Sequence, residues 1–240
     1  EEVLDTVYAE DPTLPELWQL RAVAVARSRD PEKAAQIARE GLEHLGDNRT
    51  VFLPYAVELF LSAGQLEAAQ NAMDKMLEAE LNPGLLCYLK GVLAEQKGDW
   101  AEAMAQWREA LVQNYTAESV YLKLAEGYLR LEDRTSAIEI LRRYIHQNPR
   151  SFSAQLMLAR IFADIRQWAQ ASEYAAAAVR LNPESRQAQS LHTRCRIEQL
   201  AGQPQMQQRV DELIKELLAL DDSLETRLMV FRIALNRQDW

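Results

Sequence analysis

The chain has 240 residues, 48% of them hydrophobic and 26% charged, and 27 Lys and Arg against 36 Asp and Glu give a formal net charge of −9. This composition excludes a disordered chain and a uniformly basic nucleic-acid-binding protein. Eight glycines and eight prolines are too few for the turns of a β-sandwich or a β-barrel, so the composition favours helices.

The cysteines and the hydropathy pattern exclude further classes of protein. Cys87 and Cys195 stand far apart with no C-x-x-C motif, which predicts neither a disulfide framework nor a zinc site. No run of about 18 apolar residues is present, and the first residues lack the pattern of a signal peptide. We therefore expect no metal, no cofactor, no nucleic-acid partner and no direct insertion of this segment into a membrane.

An internal repeat organises the sequence. Alanines recur at intervals of 35, 34, 34 and 34 residues, at Ala34, Ala69, Ala103, Ala137 and Ala171. A second position of the same period holds a small or aliphatic residue, namely Ala22, Val57, Gly91, Ala125 and Ala159. Small residues in such register let two helices pack closely, so each period predicts a pair of helices.

Turn residues mark the predicted ends of these helices. Gly64 and Gly98 fall between the two helices of a pair, where a left-handed backbone conformation is common. Asn148-Pro149 and Asn182-Pro183 predict the ends of second helices, and Asn82-Pro83 is predicted to end another second helix one residue late.

The third period carries the most complete motif, which consists of Gly91, Gly98, Trp100, Ala103, Trp107, Ala110 and Leu111. In these residues and in its 34-residue length the repeat resembles the tetratricopeptide repeat (TPR) family. The resemblance covers nearly the whole chain. It implies an all-α fold, a right-handed superhelical solenoid of antiparallel helix pairs, in which the first helix of each pair lines a concave groove.

The period also predicts how the chain is divided. Residues 1–14 are interpreted as the end of a preceding repeat, with Leu4, Val7 and Tyr8 in a second helix. Five repeats follow in residues 15–185, divided as 15–49, 50–83, 84–117, 118–151 and 152–185. Residues 186–223 form a longer, degenerate repeat, and residues 224–240 the first helix of a truncated one. We therefore expect a fragment of a longer bacterial array.

By resemblance, partner-binding residues occupy the groove-facing positions of the first helices. The candidates are Glu58, Tyr88, Glu95, Leu122, Glu126, Leu129, Arg160, Arg194 and Arg232. The three arginines form a predicted basic ladder suited to an acidic segment. In the alternative interpretation, Arg160 pairs with Asp164 and Arg194 with Glu198 inside their own helices, and the ladder is ordinary solvated charge. Tyr88, Leu122 and Leu129 are either apolar partner contacts or packing between repeats.

Two known kinds of site are not predicted. The carboxylate clamp of chaperone-binding relatives requires lysine and asparagine where this sequence has Gln19 and Val23. The only pair of side chains that suggests catalysis is His192 with Cys195, and no acid in the sequence orients the histidine. We therefore interpret the pair as packed side chains and expect no enzyme activity.

The predicted function is a non-catalytic protein-interaction scaffold whose groove holds a peptide or a partner protein. The family resemblance suggests bacterial envelope assembly, exopolysaccharide export or secretion, with a periplasmic or envelope-associated location favoured over a cytoplasmic one. Two alternatives stay open, namely a regulatory or substrate-recruiting region of a larger enzyme and a cytosolic adaptor. Apolar helix faces at uncapped ends would also permit self-association.

Overall fold

The computed structural model describes residues 11–28 and 30–237, and this part of the chain contains helices and no strand. Its α-helices are α1 (Pro15–Ser28), α2 (Pro31–His44), α3 (Arg49–Ser62), α4 (Leu66–Glu78), α5 (Pro83–Gln96), α6 (Trp100–Val112), α7 (Glu118–Arg130), α8 (Arg134–Gln147), α9 (Phe152–Asp164), α10 (Trp168–Leu181), α11 (Arg186–Leu200), α12 (Gln207–Leu220) and α13 (Leu224–Arg237). Short turns join them into helix pairs, which confirms the predicted all-α fold. The assignment of repeat boundaries stays a prediction.

The chain divides into two compact units, residues 1–127 and residues 128–240, and the division falls within α7. In the first unit a continuous core runs from Trp18 on α1 through Phe52 and Phe60 on α3 to Leu93 on α5. In the second unit Leu156, Ala178 and Ala188 form one apolar cluster. A further cluster of the second unit joins Ile197 on α11 to α12 and α13.

Side-chain caps fix the beginnings of many helices. Asp99, Ser151 and Ser185 each accept a hydrogen bond from the backbone N–H three residues ahead, which satisfies one of the free donors of the first helical turn. Asn82 does the same for Leu85 at 3.0 Å, with Pro83 as the first helical residue. The interpretation of Asn82-Pro83 as the end of a second helix is therefore wrong, because α4 ends at Glu78 and this dipeptide begins α5.

The turns inside the helix pairs share one backbone conformation. Gly64 and Gly98 have φ angles of 69° and 82°, as predicted for left-handed helix ends. Glu132 and Arg166 follow at the same 34-residue spacing and have φ angles of 60° and 59°. The turn geometry therefore repeats even where the sequence has no glycine. For that reason the left-handed conformation of these two turns was not predicted from the sequence.

Small residues hold the two helices of a pair close together. All five alanines of the repeat are buried, with exposed fractions between 0% and 3%. Gly91 on α5 lies directly against the indole of Trp107 on α6, and a Cβ added at Gly91 would overlap Nε1 and Cδ1 of that ring. The glycine is therefore required by the packing of a fully buried tryptophan.

Two sequence predictions fall on parts of the chain outside the described residues. These are the second helix proposed around Leu4, Val7 and Tyr8, and the turn proposed at Gln238-Asp239-Trp240. Within residues 11–28 and 30–237, no helix is both long enough and apolar enough to cross a membrane.

Candidate partner-binding surfaces

The predicted groove residues all lie on the first helices of the pairs, and as a binding site they stay a prediction. Glu58 is on α3, Tyr88 and Glu95 on α5, Leu122, Glu126 and Leu129 on α7, Arg160 on α9, Arg194 on α11 and Arg232 on α13. Glu58, Glu126, Arg160 and Arg232 are exposed, and the other five are half-buried. The charged residues among them are acidic in the first unit and basic in the second.

In the second unit, Arg194 and Arg232 pair between helices rather than within them. Arg194 Nη1 on α11 lies 2.6 Å from Glu225 Oε1 on α13. Arg232 on α13 pairs in return with Glu198 on α11. The expected pair of Arg194 with Glu198 is therefore wrong. An arginine placed four residues before a carboxylate is the poorer order within a helix, and both side chains reach the neighbouring first helix instead.

A cleft of about 500 Å³ lies beside this pair of helices, and Arg160, Arg194, Gln187 and Glu225 are among its lining residues. Arg160 makes no hydrogen bond or ion pair within the described part of the chain, so its expected pairing with Asp164 is also wrong. The Nε atom of Arg194 is buried and has no acceptor among the described residues. Two guanidinium groups at the cleft thus retain unused donors.

Of the other charged residues that line the cleft, Arg186, Asp221 and Glu225 have hydrogen-bond partners, whereas Asp164 has no hydrogen bond or ion pair among the described residues. Arg186 donates from Nη2 to the carbonyl oxygen of Ala219 at 3.1 Å. Asp221 accepts hydrogen bonds from Thr226 Oγ1 at 2.8 Å and from Ser190 Oγ at 3.4 Å, and the bond from Thr226 is the largest cause that lowers the pKa of this carboxyl group. Arginine donors and the carboxylate of Asp164 therefore remain without partners at the cleft.

In the first unit, one lysine neutralises two of the three predicted acidic residues. Lys123 Nζ on α7 lies 2.8 Å from Glu95 Oε1 and 3.3 Å from Glu126 Oε2. Burial alone would lower the pKa of Lys123, but the hydrogen bond to Glu95 and the two carboxylate charges raise it overall. Lys123 was not among the residues predicted from the sequence, although its place three residues before Glu126 was a signal for an ion pair on one helix face.

The third acidic residue, Glu58, is exposed on α3, and its charge acts on Tyr115. Protein atoms around the carboxyl group displace part of its water and raise the pKa of Glu58 although the residue is exposed, and within the described residues this carboxylate has no hydrogen bond or ion pair. The rings of Tyr88 and Tyr115 have centroids 5.7 Å apart and planes inclined at 38°. Burial is the main cause that raises the pKa of Tyr115, and Tyr88 and the charge of Glu58 add to it. Tyr115 lies in the turn between α6 and α7, outside the first-helix pattern that guided the sequence prediction.

The formal charge is divided unequally between the two units. Residues 1–127 contain 22 acidic and 11 basic side chains, a formal charge of −11, whereas residues 128–240 contain 14 acidic and 16 basic, a formal charge of +2. The net negative charge of the chain therefore belongs to the first unit. The candidate residues follow this division, because the charged candidates of the first unit are acidic and those of the second unit are basic.

His192 and Cys195 do not form an activated pair. Burial is the main cause that lowers the pKa of His192, and the charge of Arg196 contributes. Cys195 is fully buried, and burial raises the pKa of its thiol to about 11. The thiol is therefore protonated at neutral pH, which removes the nucleophile that the proposed pairing required.

Two tetratricopeptide repeat family models match residues 56–119 and 123–195, which together make up more than half of the sequence. The chain belongs to the tetratricopeptide repeat family. The repeat positions and turn geometry described above are thus those of a known repeat fold. No protein of curated function matches the sequence.

Solved structures share the fold at low sequence identity. PilF from Pseudomonas aeruginosa is 16% identical, with 91% of this chain and 97% of that chain covered at a TM-score of 0.67. YrrB, a TPR protein with an unusual peptide-binding site, is 17% identical, with 81% and 97% covered at a TM-score of 0.58. MamA from Desulfovibrio magneticus is 16% identical, with 74% and 97% covered at a TM-score of 0.56. At these identities the similarity shows the fold alone.

Proposed function

We propose that this TPR chain is a non-catalytic scaffold that binds an acidic, extended segment of a partner protein. The observation that carries the proposal is the cleft beside α9, α11 and α13, where Arg160 is exposed and unpaired within the described residues and the guanidinium group of Arg194 also lines the cleft. Carboxylates of a partner would accept from these groups through charge-assisted hydrogen bonds.

The helical framework supports binding without rearrangement of the scaffold. Arg160 and Arg194 project from α9 and α11, which belong to a packed stack of helix pairs rather than to loops. A preformed surface loses little conformational entropy on association, and the ordering cost falls mainly on the ligand. A peptide-binding site in YrrB, a protein of the same fold, is in accord with this use of the surface.

The biological setting that we propose is bacterial envelope assembly, exopolysaccharide export or secretion, on the periplasmic side. The family resemblance stated in the sequence analysis supports this setting. An acidic segment of another assembly component is the partner that the cleft chemistry favours.

A cross-linking experiment in the source cells tests the proposed function. A photo-reactive amino acid replaces Gln187, which lines the cleft, or Glu173, which is exposed on α10. We expect a specific protein adduct from position 187 only, mapped by mass spectrometry to an acidic segment. Identical adducts from both positions, or none from position 187, would contradict the proposal.

Charge reversal supplies the matched control. Arg160→Glu changes the cleft, whereas Arg150→Glu makes the same charge change at an exposed residue just before α9. We expect the adduct from position 187 to be lost in the first variant and kept in the second. Equal loss in both variants would show that only the overall charge matters.

A further inference from the structure

One arginine of the cleft in the second unit already binds a carboxylate of the chain itself. Arg194 Nη1 on α11 donates to Glu225 Oε1 on α13 at 2.6 Å, and both side chains line the cleft. This is the charge-assisted contact that a carboxylate of a partner segment would make with the same guanidinium group. Arg160, the other arginine of the proposed binding site, has no such partner within the described residues. The two arginines of one cleft therefore differ in occupancy.

The carboxylate of Glu225 can leave Arg194 at little cost. The side chain of Glu225 is 73% exposed and that of Arg194 is 37% exposed, so water reaches both partners. A pair exposed to this extent contributes little to stability and is easily replaced. The carboxylate also lies in the first turn of α13, where the helix dipole favours a negative charge whether or not Arg194 is bound. Glu225 therefore stays stabilised after it releases the arginine.

The backbone next to Glu225 is fixed by contacts that do not involve its side chain. Thr226 is buried, and its Oγ1 donates to Asp221 Oδ2 at 2.8 Å. The backbone N–H of Ser223 donates to Asp221 Oδ1 at 3.1 Å. A change in the side chain of Glu225 therefore leaves the start of α13 in place.

The packing of α13 on α11 is also independent of this carboxylate. Met229 and Ile233 of α13 belong to the buried cluster that contains Ile197 of α11. The second ion pair, Arg232 with Glu198, joins the same two helices, and only 13% of the Glu198 side chain is exposed. Exchange of the carboxylate at the cleft thus requires the rotation of one side chain and no movement of a helix.

We propose that Glu225 is an internal competitor for the acidic partner segment, which occupies Arg194 in the free chain and is displaced when a carboxylate of the segment binds there. The contact at Arg160 adds an ion pair, whereas the contact at Arg194 replaces an existing one. Glu225 also repels an approaching acidic segment by its own charge. Both effects lower the affinity of the cleft, so Glu225 sets how strongly charged a segment must be to bind.

The inference rests on the proposed function, since a competitor requires a ligand that binds the same arginine. The proposed function concerns which segment the cleft binds, whereas the inference concerns how the chain limits that binding. Removal of the competitor should raise the affinity, and a variant that fails to fold cannot imitate such a gain.

Fluorescence anisotropy with the full chain tests the inference. The probe is a rhodamine-labelled peptide of three Gly-Ser-Glu units, compared with a version that contains glutamine in place of glutamate. We expect Glu225→Gln to bind the glutamate peptide about fourfold more tightly than the parent, with no gain for the glutamine peptide. If the parent prefers the glutamate peptide and Glu225→Gln binds it no more tightly, the inference is overturned and the proposed function stands. No preference for the glutamate peptide in either protein would overturn both.

Glu212→Gln is the matched control. Glu212 Oε2 lies 2.6 Å from Arg209 Nη1 within α12, an exposed ion pair of the same length in the same unit. Neither residue lines the cleft. We expect Glu212→Gln to bind the glutamate peptide as the parent does. Equal gains in Glu212→Gln and Glu225→Gln would show that only the net charge of the chain matters, which would overturn the inference.

A double variant separates displacement from repulsion. In an Arg194→Gln background there is no ion pair for the peptide to displace, so Glu225→Gln should raise the affinity only about twofold, through the loss of repulsion alone. A fourfold gain in this background would show that Glu225 acts through its charge without competing for Arg194, and would overturn the inference.

Discussion

Among the glycines, Gly91 has the least room for a side chain. A methyl group at this position would overlap the indole of Trp107, which is fully buried and rigid. We predict that Gly91→Ala lowers the free energy of unfolding by about 1–2 kcal/mol, because overpacking outweighs the gain in helix propensity of about 1 kcal/mol. Urea unfolding of the full chain measures the difference.

Gly202→Ala is the control for this prediction. Gly202 lies in the turn after α11, and a Cβ built there meets no atom within 4 Å. We expect this variant to unfold at the same urea concentration as the parent or slightly above it. A Gly91→Ala variant as stable as the parent would contradict the close packing of α5 on α6.

The buried thiol of Cys195 gives a second prediction for a single residue. With its pKa raised to about 11, only about one thiol in a thousand is ionised at pH 8. We predict that iodoacetamide does not modify Cys195 in the folded chain within hours at pH 8, but modifies it fully in urea. Peptide mass spectrometry reads both states. Rapid modification of the folded protein would contradict the interpretation of His192 and Cys195 as packed side chains.

At the scale of elements, the turns within the helix pairs repeat a left-handed residue every 34 positions. Arg166 and Glu132 hold this conformation without being glycine, which is unfavourable for a residue with a Cβ. We predict that Arg166→Gly raises the free energy of unfolding by up to about 1 kcal/mol and that Gly98→Ala lowers it by a similar amount. Urea unfolding of both variants measures the two signs, and a shift of Gly98→Ala in the stabilising direction would contradict the turn geometry.

The two ion pairs between α11 and α13 differ in burial, which decides their strengths. Glu198 has 13% of its side chain exposed, whereas Glu225 has 73% exposed. We predict a coupling energy of about 1 kcal/mol between Arg232 and Glu198 and less than about 0.5 kcal/mol between Arg194 and Glu225. Alanine double-mutant cycles measure both energies, and 0.5 M NaCl should reduce the weaker one further. A stronger coupling for the exposed pair would contradict the observed burial.

For the molecule as a whole, the helices and their close contacts follow from the sequence, because the repeat imposes them locally. Alanine spacing and the paired glycine turns predict which faces pack, and Ala103 and Trp107 are buried accordingly. The left-handed turns at Glu132 and Arg166 could not be predicted in this way, because they contain no glycine and the neighbouring helices impose their geometry.

The pairing of charges could not be read from the sequence. Lys123 and Glu95 are 28 residues apart, and Arg232 and Glu198 are 34 apart, so each contact depends on which helices stack side by side. Reasoning within single helices instead paired Arg194 with Glu198, which the structure contradicts. Tyr115 was missed because it lies in a turn between helices, whereas the family pattern directs attention to first helices.

We propose that the first helices of the pairs, in particular α9 and α11, bind the partner segment. Hydrogen–deuterium exchange on the full chain, with and without the acidic segment identified by cross-linking at Gln187, tests it most directly. We predict that the bound segment slows exchange in α9 and α11 and leaves α8 and α10 unchanged. Slowed exchange confined to α8 and α10, or no change in α9 and α11 at a saturating concentration of the segment, would contradict the account.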